Sequence, residues 1–133
     1  MGKFSFSLLL DPEKRKKAKL TYTKAIGLIK QQEKINPDDV QLVSNLAAYY
    51  SMIGEKQKAY DMVKRSLKLA PNDVEIMFRA GTTYEQLGDR NEALLWLEKA
   101  IKNGYSISEL IRQPDLKLLI EDDRFKQILQ DNQ

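Results

Sequence analysis

The sequence predicts an all-α chain, a solenoid of antiparallel helix pairs, and three observations carry that expectation. The chain matches itself at a fixed shift that carries Ala25 onto Ala59 and then onto Ala93. The residues that coincide at that shift include those that end helices, Gly and Pro. Others are small or aromatic residues of the sizes that let two helices approach closely. A fixed period of this kind is the mark of stacked supersecondary units, each burying its apolar face against the next.

The same register superimposes Pro37 on Pro71, Tyr50 on Tyr84 and Gly54 on Gly88. Softer matches are Ile29 with Val63 and Leu97, Ile35 with Leu69, Leu67 with Ile101, and Ala47 with Gly81. Ala47 or Gly81 and Ala59 or Ala93 are small enough for close helix contact, with Tyr50 and Tyr84 filling the space beside it. Gly54 and Gly88 fall where the first helix of each pair must stop, a left-handed position that Gly adopts most easily. Pro37 and Pro71 close the second helix. Asp38 with Asp39, and Asn72 with Asp73, then offer side chains able to cap the next one.

On these residues the chain resembles the tetratricopeptide repeat family, whose period of about 34 residues is the one found here. A repeat beginning at Val40 places Leu46, Ala47, Tyr50, Gly54, Ala59, Leu67 and Pro71 on the family's signature sites. A second beginning at Val74 supplies Ala80, Gly81, Tyr84, Gly88, Ala93, Ala100 and Ile101. Departures are Val43 and Met77, where the family often has Trp, Ser66 in place of Ala, and Tyr105 in place of Pro. The resemblance spans about residues 18–130 and implies a right-handed superhelix of antiparallel helix pairs.

The flanks complete the stack. Upstream, Asp11 reads as an N-cap, Pro12 as the first helical residue and Glu13 as a first-turn acid, opening one long helix to about Ile35. Its inner face carries Ala18, Tyr22, Ala25, Ile26 and Ile29. Downstream, the segment from Ser106 to Leu129 reads as short helices broken before Pro114 and near Asp122, and it resembles a tail that follows such repeats in many bacterial proteins. The expected organisation is one domain over 11–133: a capping helix and partial repeat at 11–37, repeats at 40–73 and 74–105, and capping helices at 106–133. Residues 1–10 stand apart. Phe4, Phe6 and Leu8 alternate with Lys3, Ser5 and Ser7, and the segment is expected to be docked or flexible, or else to act as an arm for self-association.

Composition removes several classes of chemistry. With no Cys and no His, the chain has no thiol nucleophile, no Ser/His/Asp triad, no thiolate or imidazole zinc site and no disulfide. The acidic run Glu121, Asp122, Asp123 lacks the alternating oxygen ligands and central Gly of a calcium loop, so helix capping is the expected role. No glycine-rich phosphate loop is visible. The expectation is a chain that is not an enzyme, with no cofactor and no metal.

Net charge is +3, with 22 Lys and Arg against 19 Asp and Glu and both signs interspersed, which argues against a general nucleic-acid binder. The basic run Lys14, Arg15, Lys16, Lys17, with Lys19, reads most simply as a solvated helix face, beside a localisation signal or an anionic-lipid contact. No apolar run has the length of a membrane span. Compartment is left open by a chain without thiols, and the cytoplasm is the compartment favoured.

The expected partner is another protein. In the family the resemblance names, peptide ligands lie in a concave groove lined by the first helix of each pair. Carried over, the lining positions are Gln41, Ser44, Asn45, Ala48, Ser51 and Met52 in the first repeat. The second supplies Glu75, Phe78, Arg79, Thr82, Glu85 and Gln86. Met52, Phe78 and Arg79 are the expected anchors, since aromatic, Arg and Met side chains concentrate interface energy. Some members clamp a C-terminal carboxylate with five basic or amide residues. Only Asn45 and Arg79 fall on such places, whereas Glu75, Ser7 and Asp11 do not fit. The alternative expectation is a structural or self-associating domain, a homo-oligomer without a separate ligand.

Overall fold

A computed structural model describes residues 11–133, and among them the structure is helical throughout, with no strand. The apolar arm expected at 1–10 lies outside the described residues. The first helix, α1, runs Pro12–Ile35. Asp11 caps it, its carboxylate accepting from the Lys14 backbone N–H at 2.9 Å. Pro12 occupies the first turn, where the missing N–H costs nothing. Ile26 is buried on the inner face, with Ala18, Tyr22, Ala25 and Ile29 half-buried beside it.

Two helix pairs follow: α2 Val40–Met52 with α3 Lys56–Leu69, then α4 Val74–Gln86 with α5 Arg90–Lys102. Asp39 and Asp73 cap α2 and α4, accepting from Gln41 N–H at 3.0 Å and Glu75 N–H at 2.9 Å. These are the second candidates of the Asp38/Asp39 and Asn72/Asp73 pairs. Gly54 and Gly88 follow α2 and α4 with positive φ. That left-handed region strains any residue carrying a Cβ. The N–H of Glu55 and of Asp89 then reaches back to the carbonyl of Tyr50 and Tyr84, each at 2.9 Å. These bonds satisfy carbonyls that the helix ends would otherwise leave open.

The packing follows from the small residues. Ala59 and Ala93 are fully enclosed, and Gly81 sits so close to α5 that an added Cβ would stand 2.6 Å from Leu97 Cδ2. Tyr50 and Tyr84 are buried beside these contacts, and Tyr60 tilts against Tyr84 with ring centroids 5.9 Å apart. Each large side chain so enclosed contributes roughly 1.5–3 kcal/mol by leaving water. Ala47 of α2 and Val63 of α3 share a cluster with α4, α5 and the tail, and Tyr60 and Met62 lie against both it and the smaller cluster around Ile26, Leu46 and Tyr50, so the core is continuous. Ile35 and Leu69, matched in the repeat register, instead face outward as the last residues of α1 and α3.

Past α5 come α6 Ile107–Ile111, a 3-10 turn Pro114–Leu116, α7 Lys117–Ile120 and α8 Asp123–Asp131. The breaks fall before Pro114 and at Asp122, as the sequence predicts. Leu110, Leu116, Leu119 and Phe125 are fully buried and join the core of α4 and α5. The tail thereby covers the apolar face that the last pair would leave open.

Candidate binding groove

The helices expected to line a groove, α2 and α4, pack side by side as the first members of their pairs. Their sequences dictate a nearly neutral wall. No charged residue occurs in α2, and α4 holds only Glu75, Arg79 and Glu85.

Across this wall, Arg79 Nη1 donates to Asn45 Oδ1 at 2.9 Å, joining equivalent positions of the two repeats. Arg79 also stands 3.9 Å from Glu75, one turn earlier on α4. Its side chain is 38 % exposed, so the guanidinium is oriented by two partners while keeping donors open to a ligand. Gln41 is exposed; Ala48, Ser51, Met52, Thr82 and Gln86 are half-buried. The hydroxyls of Ser51 and Thr82 are turned back onto carbonyls of their own helices, Ala48 at 2.6 Å and Arg79 at 2.9 Å. The amide nitrogen of Gln86 is buried with no hydrogen-bond partner among the described residues.

Three expected lining residues are placed elsewhere. Ser44 is buried, its small side chain lost to the helix contact. Phe78 is buried and stacked on Tyr105, with centroids 4.2 Å apart and planes 7° apart, so its ring is already engaged by the segment after α5. Glu85 is buried as well. Arg90 grips it with two bonds of 2.7 and 2.8 Å and reaches Asp122 at 3.1 Å. Asp122 caps α8 through the Arg124 N–H at 2.9 Å, the capping role expected for this acidic run. Among the described residues no group of three or more acidic side chains is arranged to hold a metal.

Three tyrosines near α2 and α4 have no counterpart in the repeat register. Tyr22 of α1 and Tyr49 of α2 lie 5.5 Å apart, centroid to centroid. Burial, and after it Tyr49 and the Asp115 carboxylate, push the Tyr22 phenol up. At the other end, burial and the carboxylates of Glu75 and Glu109 raise the Tyr105 phenol, opposed by Arg79. Tyrosines at no shared repeat position give no sequence signal for these contacts.

Residues 74–103 match the tetratricopeptide repeat family. That stretch of the chain is thus a tetratricopeptide repeat. No curated protein and no solved structure matches it. The matched residues are α4 and α5, and α2 with α3 repeats the Asp cap of the first helix, the left-handed Gly and the enclosed Ala in the same register. Tetratricopeptide repeats serve in general as protein–protein interaction modules and are typically not catalytic. Among the described residues of this repeat protein, no helix is long and apolar enough to cross a membrane.

Proposed function

We propose that this repeat protein is a scaffold or adaptor that binds an extended segment of a partner protein along α2 and α4. The observation that carries the reading is the Asn45–Arg79 bridge, which fixes a half-exposed guanidinium on a wall with almost no other charge. Arg79 takes a carboxylate or backbone carbonyl of the segment, and Met52 and Ala48 supply adaptable apolar contact beside it. Gln86, half-buried at the C-terminal end of α4, adds a further contact position from the family's set. With Phe78 committed to Tyr105, the anchors are Met52, Arg79 and Gln86.

The test places a photo-crosslinking benzophenone amino acid at Met52 or Gln86 in the native host. The crosslinked segment is then synthesised as a peptide and titrated against wild type and Arg79→Glu. Binding is expected to weaken at least about tenfold in the variant, with helicity unchanged because Arg79 sits outside the core. Equal affinity removes Arg79 from the site. Crosslinks found only between copies of this chain replace the adaptor reading with self-association.

A further inference from the structure

The helices divide the charges by layer. In the superhelix that the repeat pattern implies, the second members of the pairs, with the capping helix that stands in their place upstream, take the outer layer. There α1 carries eight Lys and Arg against two Glu, α3 five against one Asp, and α5 three against two Glu. Sixteen cations against five carboxylates leave that layer eleven positive charges in excess, in a chain whose net charge is +3, so everything else is net negative by eight. Along the sequence the signs look mixed only because helices of the two layers alternate. Of the outer arginines, Arg65 is tied to Glu33 at 2.7 Å and to the Pro37 carbonyl, and Arg90 to Glu85 and Asp122. The freely displayed cations are thus mostly lysines.

The density is highest on α1, and so is the exposure of apolar groups. At about 100° per residue, Leu20, Lys24, Leu28 and Ile35 form one stripe on the side opposite Tyr22, Ile26 and Ile29. Leu20, Leu28 and Ile35 are 57, 64 and 79 % exposed. Lys16 and Lys34 flank the stripe and Lys17 lies within it, and all three are exposed. An aliphatic stripe set among long, flexible lysines is the composition that seats a helix in the headgroup region of a membrane. There the aliphatic groups enter the acyl boundary and the lysines meet anionic headgroups. A nucleic-acid surface has no use for three exposed aliphatic side chains. We propose that the outward face of α1, continued by the cations of α3, docks this repeat protein on an anionic lipid bilayer and leaves the α2–α4 groove facing away from it.

The test is vesicle co-sedimentation of the full chain. It uses phosphatidylcholine vesicles with and without about a third phosphatidylserine, and a DNA duplex as a separate polyanion. Partitioning is expected only onto the anionic vesicles, and it should fall as salt is raised, because the charges act within a Debye length. Each lysine near such a surface strengthens partitioning about fivefold. Lys16→Gln, Lys17→Gln and Lys24→Gln together should therefore weaken it about a hundredfold, with circular dichroism unchanged because all three side chains are exposed. Leu20→Ser with Leu28→Ser should weaken it further and leave the salt dependence in place. Equal binding to neutral vesicles, or triple-variant binding equal to wild type, overturns the proposal and assigns membrane affinity to the apolar residues 4–10 instead. Retention of the DNA without the vesicles also overturns it, as does a molar mass in light scattering showing the α1 face buried between two copies.

Discussion

Phe78 and Tyr105 lie face to face, 4.2 Å between centroids and 7° between planes, and this stack fastens the groove helix α4 to the segment that leaves the second repeat. A residue that the repeat register assigns to ligand contact is thereby a packing residue. Tyr105 stands where the family commonly has Pro, and it brings its own aromatic cover for that position.

Phe78→Ala is accordingly expected to cost about 3–5 kcal/mol in urea unfolding, the usual range for emptying a buried aromatic site. Phe78→Leu and Tyr105→Leu, alone and together, isolate the stack from the bulk. Their coupling energy should be about 0.5–1.5 kcal/mol. Strictly additive losses would mean that the rings lie near one another without interacting.

Gly81 offers a second check on the register. A Cβ there would stand 2.6 and 2.7 Å from Leu97 Cδ2 and Cγ, and Leu97 is fully enclosed, so it has nowhere to retreat. Gly81→Val should destabilise by about 1–3 kcal/mol through overpacking, although Val is the better helix former. The matching position in the first repeat is Ala47, which already carries a Cβ, so Ala47→Gly should cost only about 1 kcal/mol in helix propensity and lost packing. A neutral Gly81→Val would mean that α4 and α5 part without cost to admit the side chain.

Local rules explain why so much of the fold could be read from the residues. Asp11, Asp39 and Asp73 cap helices through their own following N–H groups, and Gly54 and Gly88 turn the chain within a few residues. None of that needs the third dimension. The groove needed it. Phe78 is covered by a residue of the tail, and Glu85 is taken by Arg90 on the far side of the Gly88 turn. The repeat register describes a helix facing solvent, whereas α4 has the tail against one flank. Asn45 and Arg79 belong to the wall by their positions alone, but their mutual bond depends on how α2 and α4 lie together.

Gly88 separates backbone strain from packing. Its φ is positive and nothing lies within 4 Å of a Cβ built on it, so Gly88→Ala loses stability through the left-handed backbone alone. About 1–2 kcal/mol is expected, and Gly88→Asn should lose less because Asn tolerates that region. Melting of the two variants side by side checks the order, and Asn no better than Ala would point to a clash instead.

The Asp122 carboxylate gives the protein a defined response to acid. Bonds from the Arg124 side chain and backbone N–H, joined by Arg90, hold its pKa well below the usual carboxylate range. With the folded value depressed, the unfolded chain binds the proton first as pH falls. The contribution of these bonds is therefore complete above the unfolded pKa of about 3.9 and is lost progressively below it. Asp122→Asn keeps a capping oxygen but removes the charge and the second acceptor oxygen that Arg90 and Arg124 share, so the variant removes the ion pairs while sparing the cap. At pH 7 it should be less stable by about 1 kcal/mol, a figure discounted for the solvent that reaches Arg124. The difference from wild type should shrink as urea unfolding is repeated below pH 4. A gap that stays constant down to pH 3 would mean that Asp122 holds α8 to α5 by shape and not by charge.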